Sequence, residues 1–370
     1  MPSDTVTLTV NGKDYAGFKS VRIEAGVERA ARSFEVSVTD KWPGNAEQVR
    51  RIKPGDAVVV KIGNDVVCTG FVDAVPVNYD SNSITIDIRG RSKTADLVDC
   101  AADNPTGQFK QLKAEAIAQK LAGQYGVKVV TETDTGNALT DHQIQQGESA
   151  FESLDRLAKH RQILMTDNGN GDLVIAKPGS GGKAASSLEL GVNILSASAG
   201  FDYSEVYTDY SVKGQSSRQG NDADWDGNSA ALMAGAKGAA KDSSLKRRRV
   251  LVVRQSGQAD GKTCQNRAIY EQRVRAAKAG EIRYKVVGWR QKDGSLWRPN
   301  ITVAINDAIM QVNTELLVSE VIWTLDEGGM LSELVCISPD AFLNEPEAKA
   351  KAKKKHKHKA KDDPGSLWDL

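Results

Sequence analysis

The first 95 residues alternate apolar and polar positions in short runs that are separated by turn residues. Thr5–Val10 is such a run, and the Asn11-Gly12 dipeptide after it favours a tight hairpin turn. Ser83–Arg89 places three isoleucines on one face, because successive side chains of a strand point to opposite sides. About seven such runs predict a small antiparallel β-barrel domain over residues 1–95.

Beyond residue 95 the apolar spacing changes to three or four positions, which is typical of helices. Ala114–Leu121 carries this spacing, and Gly123 follows it as a helix stop. A second helix is expected to begin at Ser149, and the polar segment 167–171 predicts a hairpin turn. Residues 96–185 are therefore interpreted as a mixed α/β middle domain.

Strand-like alternation returns after residue 186 and continues to residue 344, with one helix expected at Lys262–Ala279. The polar segment 214–246, rich in Gly, Ala, Ser and Asp, predicts a long flexible loop. The fold class is thus mainly β, or α+β, with two small antiparallel β-barrel domains around the mixed middle segment. No clear internal repeat relates residues 1–95 to residues 186–344 at the level of sequence.

Composition adds a basic, low-complexity C-terminus to this picture. Residues 345–370 hold eight lysines and five acids without apolar periodicity, which predicts a disordered tail. The rest of the chain, residues 1–344, is the body of the protein. It contains 41 of the 49 basic residues and 43 of the 48 acidic residues. A nearly neutral body lacks the electrostatic footprint of a dedicated nucleic-acid binder.

The sequence also bears on where the protein is found. Its N-terminus lacks the basic start and apolar run of a signal peptide. No apolar stretch approaches the ~20 residues that cross a bilayer. We therefore expect a soluble protein, made in the cytoplasm, without a membrane-spanning segment.

Side chains that often carry chemistry are few and scattered. The body holds only two histidines, His142 and His160, and neither has an ExxH or HxxxH partner. There is no GxSxG motif for a hydrolase. Four widely spaced cysteines form no CxxC pair, which favours free thiols over zinc or a disulfide framework: Cys68, Cys100, Cys264 and Cys336. The sequence thus predicts no catalytic, cofactor-binding or metal-binding residues.

Two motifs imitate ligand-binding loops. Gly257–Thr263 lies between a predicted strand and helix, but it has three residues between its glycines where a phosphate-binding loop needs four. A polar turn that caps a helix explains it better. Asp222–Asn228 begins like an EF-hand calcium loop, yet its twelfth position is Met233 where a bidentate acid is required. We interpret this segment as an acidic loop.

Several longer blocks follow one another with characteristic order and spacing. They are PGDAVVVKIGNDVVCTGFVD (54–73), IRGRSKTADLVDCAA (88–102), GESAFESLDRLAKHRQILMTDNGNGDLVIA (147–176), CQNRAIYEQRVRAAKAGEIRYKVVGWRQKDGSLWRPN (264–300) and SPDAF (338–342). Together they resemble the Mu-like phage tail protein family, whose members form the baseplate hub of contractile tails. The resemblance runs through most of residues 1–344, but it covers neither the segment 214–246 nor the lysine-rich tail.

The resemblance implies a ring-shaped homotrimer in which each chain contributes two similar β-barrels. Such a ring would join the sixfold tail tube to the threefold central spike, and it would take part in tail assembly and genome ejection. The expected location is the virion baseplate, with the host cytoplasm during assembly. The expected partners are the spike, the tube and other baseplate proteins, with at most transient DNA contact and no small-molecule substrate.

Two other functions stay open at this point. A tail-associated enzyme that degrades cell wall would need a carboxylate pair or a metal site; no metal site is found, and a carboxylate pair is not readable from sequence. A non-specific nucleic-acid-binding protein would depend on the lysine-rich tail, residues 345–370.

Overall fold

The computed structural model describes residues 4–39, 52–79, 84–161, 163–215, 236–258 and 260–343. Its strands are β1 (Val6–Val10), β2 (Lys13–Ala16), β3 (Ser20–Gly26), β4 (Ser33–Thr39), β5 (Ala57–Ile62), β6 (Asp65–Ala74), β7 (Val77–Tyr79), β8 (Ile84–Ser92), β9 (Gln108–Leu112), β10 (Val129–Thr131), β11 (Leu139–Gln143), β12 (Leu164–Asp167), β13 (Leu173–Ala176), β14 (Leu188–Glu189), β15 (Ile194–Ala199), β16 (Asp209–Gln215), β17 (Lys237–Lys241), β18 (Val250–Gln258), β19 (Ile282–Val287), β20 (Thr302–Asp307), β21 (Val312–Asp326) and β22 (Gly329–Ile337). The helices are α1 (Ala95–Asp99), α2 (Ala114–Gly123), α3 (Ala150–Arg161) and α4 (Gly261–Lys278), followed by a 3₁₀ turn at Pro339–Phe342.

Fourteen of the described strands join in one sheet that links the two ends of the chain. Its order is β15-β19-β22-β21-β3-β4-β8-β6-β5-β1-β2, with β7 paired to β8, β20 to β21 and β14 to β20. The neighbours along this path are antiparallel. Apolar positions alternate inward as the sequence predicts, for example in β1, where every second residue is buried. The prediction of a mainly β protein is confirmed.

The two halves of this sheet share one strand order. The N-terminal half (β1–β8) contains the series β3-β4-β8-β6-β5, and the C-terminal half (β14, β15 and β19–β22) contains β15-β19-β22-β21-β20. If the five strands of each series are numbered along the chain, both series lie side by side in the order first, second, fifth, fourth and third. The sequence gives no sign of this repeat, because the two halves reach the same topology with different apolar residues.

The two halves meet where β21 pairs with β3. Trp323 lies opposite Ile23 and Leu325 lies opposite Val21 in this antiparallel ladder. One core of buried apolar residues extends across the junction and includes residues of both halves. The halves are therefore held together by backbone hydrogen bonds as well as by packed side chains.

Two buried tryptophans of this core predict different responses to substitution. Trp289 Nε1 donates hydrogen bonds to the carbonyl oxygens of Thr324 and Leu331, at 3.1 and 3.0 Å. Trp323 Nε1 is buried without a hydrogen-bond partner among the described residues. Because only Trp289→Phe removes hydrogen bonds, it should lower the free energy of unfolding by about 1–3 kcal/mol more than Trp323→Phe in urea titrations. An equal or larger loss in Trp323→Phe would contradict this account.

The middle segment has a core of its own, built from α1–α3 and two small sheets. Helix α3 begins with a capping box: the Ser149 hydroxyl accepts from the Glu152 N–H at 3.1 Å, and the Glu152 carboxylate accepts from the Ser149 N–H at 2.7 Å. The predicted helix start at Ser149 is therefore confirmed. The predicted hairpin at 167–171 is also present, since β12 and β13 pair antiparallel across it.

The structure of segment 214–246 differs from the prediction of a long flexible loop. Residues 237–241 form β17, which pairs with β16, and β16 also pairs in parallel with β18. Helix α4 packs on this three-stranded sheet, outside the long sheet, at a shared apolar cluster. A Cβ on Gly238 would lie 2.2 Å from the backbone of Cys264, so the small residues here permit close approach of strand and helix. Residues 216–235 and the predicted disordered tail, 345–370, lie outside the described residues.

Candidate assembly surfaces

Three of the side chains that could carry chemistry, His142, Cys68 and Cys336, are buried in the fold. His142 is buried, stacks on Phe109 and lies 2.9 Å from the Ser153 hydroxyl through Nε2. Cys68 and Cys336 are buried free thiols, and burial raises the pKa of both above the ordinary range. In the ranges that the structure describes, His, Cys, Asp and Glu side chains form no group that could hold a metal ion.

The two motifs that imitate ligand-binding loops have different outcomes. At Gly257–Thr263 the Asp260 carboxylate accepts from the Thr263 N–H at 2.7 Å and caps α4. The preceding strand, β18, lies at the edge of its sheet with Val250 and Val252 exposed. This arrangement is the helix-capping polar turn that the sequence favoured. The calcium-like segment Asp222–Asn228 lies outside the described residues.

A buried ion pair joins the N-terminal half of the long sheet to the middle segment. Arg32 Nε lies 3.1 Å from Asp167 Oδ1, and the Arg32 backbone N–H donates to Asp167 Oδ2 at 2.9 Å. The Ser92 hydroxyl donates to the same carboxylate, and Arg32 Nη1 donates to the Val67 carbonyl oxygen. Burial raises the pKa of the Asp167 carboxyl, while Arg32 and Ser92 act in the opposite direction. We call Arg32, Ser92 and Asp167 the latch.

Exposed apolar side chains gather along β15, the edge strand of the C-terminal half. Within the described residues β15 pairs with β19 on one side only, apart from a single bridge between Ile194 and Leu190. The strand has the sequence ILSASA, without the charge or proline that usually protects an edge. Five exposed large apolar residues lie in it or within four residues of it: Leu190, Val192, Leu195, Phe201 and Tyr203.

A second exposed apolar edge lies on the N-terminal half. All three residues of β7 are exposed, including Val77 and Tyr79, and β7 pairs with β8 alone among the described strands. The edge strand β2, in contrast, carries Lys13 and Asp14 on its exposed positions. Because soluble proteins rarely leave bare apolar edges uncovered, β7 and β15 are the candidate assembly surfaces of this chain.

Sequence reasoning missed both the latch and these edges. Arg32 and Asp167 are 135 positions apart, and nothing near either residue indicates the pairing. The exposed apolar residues of β15 and of its flanks stand in a stretch that reads as an ordinary strand region. One weak signal was present: Val77 and Tyr79 alternate with Asn78 directly after Pro76, which interrupts the strand.

None of the helices in the described ranges combines the length and the apolar character that a bilayer crossing requires.

Comparison with known proteins places this architecture among phage tail proteins. Three protein-family models match: Mu phage baseplate assembly protein GpP-like, N-terminal (residues 5–92), baseplate hub protein gp44-like, second domain (94–177), and Mu phage baseplate assembly protein GpP, fourth domain (260–345). The 43 kDa tail protein of prophage MuSo2 from Shewanella oneidensis has a similar crystal structure, with a TM-score of 0.79 and 32% identity over 92% of this chain and 100% of that one.

A tail protein from Neisseria meningitidis MC58 shares the fold, with a TM-score of 0.72 and 20% identity over 91% of this chain and 98% of that one. Baseplate hub protein gp44 of Escherichia phage Mu is 34% identical over 341 residues, which are 91% of this chain and 88% of that protein. The fold is thus that of a phage tail protein. The chain belongs to the family of baseplate hub proteins of Mu-like phages, which are structural proteins of the virion tail.

Proposed function

We propose that this baseplate hub protein works as a homotrimeric ring that joins the sixfold tail tube to the threefold central spike. The ring takes part in tail assembly and in genome ejection, and its partners are the spike, the tube and other baseplate proteins. Its role is structural rather than enzymatic, and its contact with DNA is limited to the passage of the genome.

The observation that supports this proposal most is the repeated strand order of the long sheet. Each chain carries two halves with the same order, so three chains present six similar modules. Such a ring offers near-sixfold symmetry to one neighbour and true threefold symmetry to the other. A head-to-tail contact that is repeated three times also closes on itself and leaves no free end.

The expected result is a trimer of the purified full-length chain. Light scattering should give about 120 kDa, three times the chain mass of 39.9 kDa. Class averages from electron microscopy should show a ring with six similar lobes. A chain that stays monomeric at micromolar concentration contradicts the ring. A hexamer contradicts the assignment of two modules to each chain.

A further inference from the structure

We propose that neighbouring copies in the ring are joined by a β-ladder in which β7 of one copy pairs antiparallel with β15 of the next. This inference rests on the proposed ring and names the surface that closes it. Its basis is the repeat within the chain, because the two halves are already joined once by such a ladder, β21 with β3.

The repeat assigns a counterpart to each strand of the internal junction. By position in the shared strand order, β3 corresponds to β15, β4 to β19, β8 to β22 and β6 to β21. Strand β21 is longer than β6, and its second half pairs with β22 on one side and with β3 on the other. After Pro76, β7 resumes the ladder of β6 along β8. The counterpart of the second half of β21 is therefore β7.

A matching β-bulge fixes the alignment of the two halves to the residue. In the C-terminal half the ladder skips one residue between Val318 and Glu320, opposite Cys336 and Val335. In the N-terminal half it skips one residue between Val72 and Ala74, opposite Gly90 and Arg89. Because bulges are specific local features of a strand pair, their coincidence shows that the halves share register as well as topology.

The alignment also holds away from the bulge. It matches Leu317 with Phe71, and these residues pair with Thr302 and Ala57, the first residues of β20 and β5. It further matches Trp323 with Val77, since these pair with the equivalent positions Ser332 and Ile86.

The internal junction then predicts the register between copies. Phe34 pairs with Gly90 and Ile282 pairs with Cys336, and the matching bulge makes Gly90 and Cys336 equivalent, so Ile282 is the counterpart of Phe34. Ile23 pairs with Phe34 and Ala199 pairs with Ile282, so Ala199 is the counterpart of Ile23. Because Trp323 lies opposite Ile23 within the chain, Val77 should lie opposite Ala199 of the next copy. Continuing along the antiparallel ladder places Asn78 opposite Ser198 and Tyr79 opposite Ala197.

Burial supports the same assignment. At the internal junction Trp323 is 1% exposed and Ile23 is 0% exposed. The counterparts of Trp323 and Leu325, Val77 and Tyr79, are 52% and 81% exposed. These apolar side chains are exposed in the single chain. The equivalent positions at the internal junction pair with β3. Pairing with β15 would bury Val77 and Tyr79 and would satisfy edge N–H and C=O groups that no described strand pairs with.

A second copy fits these edges better than an unrelated partner. One edge lies on the N-terminal half and the other on the C-terminal half, which is the arrangement that a head-to-tail contact requires. The geometry of the contact already exists within each chain, so no new kind of interface is needed. Each copy would offer β7 to one neighbour and β15 to the other, and three ladders would complete the ring.

Cysteine cross-linking tests the register directly. In a Cys100→Ser background the remaining native cysteines are buried, so oxidation reports on introduced thiols. Opposed residues of an antiparallel pair have Cβ atoms about 4.5–5.5 Å apart, close to the distance of a disulfide. Asn78→Cys with Ser198→Cys should therefore give disulfide-linked trimers on non-reducing gels. Either single variant, and the displaced pair Asn78→Cys with Ile309→Cys, should give none.

The two possible failures are distinguishable by light scattering before oxidation. A 120 kDa species without cross-links would support the ring but contradict the β7–β15 seam. The two edges would then pair with another partner. A monomer would overturn the ring and the seam together.

Tyr79→Lys gives a second readout that does not depend on thiol chemistry. It should shift the trimer toward the 39.9 kDa chain. Because Tyr79 is 81% exposed in the single chain, the far-UV circular dichroism should stay that of the folded protein. A trimer that persists in this variant would count against the seam.

Discussion

Replacing Arg32 by methionine should lower the free energy of unfolding by about 3–5 kcal/mol, because the substitution leaves the Asp167 carboxylate buried without its cation. The Asp167 side chain is 1% exposed and that of Arg32 is 12% exposed, so the carboxylate has little contact with water to offset the lost partner. Urea titration at neutral pH would measure the loss. Arg91, whose side chain is 37% exposed and pairs with Asp73 and Asp99, supplies the control. Arg91→Met should cost about 1 kcal/mol or less.

The same variant should show a specific dependence on pH. Burial raises the pKa of Asp167 above its ordinary value of 3.8, and Arg32 opposes this rise. Without Arg32 the pKa should rise further. A carboxyl with a raised pKa in the folded state binds its proton more tightly there than in the unfolded chain, so its stabilising effect is lost as the pH rises through the folded pKa. The destabilisation of Arg32→Met should therefore be small in acid and should grow once the pH exceeds the raised folded-state pKa of Asp167 in the unsubstituted chain.

Two results would contradict this account of the latch. The first is a loss in Arg32→Met that matches the loss in Arg91→Met. The second is a loss that does not change with pH. The double variant Arg32→Met with Asp167→Asn should recover part of the stability, because it removes the unpaired buried charge along with its partner.

A methyl group at Gly70 should destabilise the N-terminal half by about 3 kcal/mol or more. A Cβ at this position would lie 1.9 Å from the carbonyl oxygen of Arg91 and 2.6 Å from Cα of Ser92. The obstructing atoms belong to the backbone of β8, so a side-chain rotation cannot relieve the contact. Thermal and urea unfolding of Gly70→Ala would measure the effect.

Gly123→Ala is the matched control for this substitution. A Cβ at Gly123 meets nothing within 4 Å, and the residue ends α2. Alanine has the higher helix propensity, so this variant should be neutral or slightly stabilised. If Gly70→Ala were as stable as Gly123→Ala, the close crossing of β6 and β8 would be wrong.

Much of the local structure could be predicted from the sequence. Alternation in β1 and around β8, the hairpin between β12 and β13, and the capping box at Ser149 all depend on residues that are near one another in the chain. The interpretation of Gly257–Thr263 as a capping turn also holds, because one missing residue between the glycines is visible locally. The prediction of a loop over 214–246 was wrong at Lys237–Lys241, where Gly238 permits close packing of β17 against α4.

The sequence by itself thus determined the type and the approximate position of most strands and helices, since these follow from local spacing and capping. Only the tertiary structure decided that β21 pairs with β3, that both halves repeat one strand order, and that Arg32 finds Asp167. Backbone hydrogen bonds between strands are the same whatever the side chains, so strand pairing leaves no motif in the sequence. Partners that are distant in the chain are selected by the packing of the whole core, and the edges left bare become visible only when that packing is known.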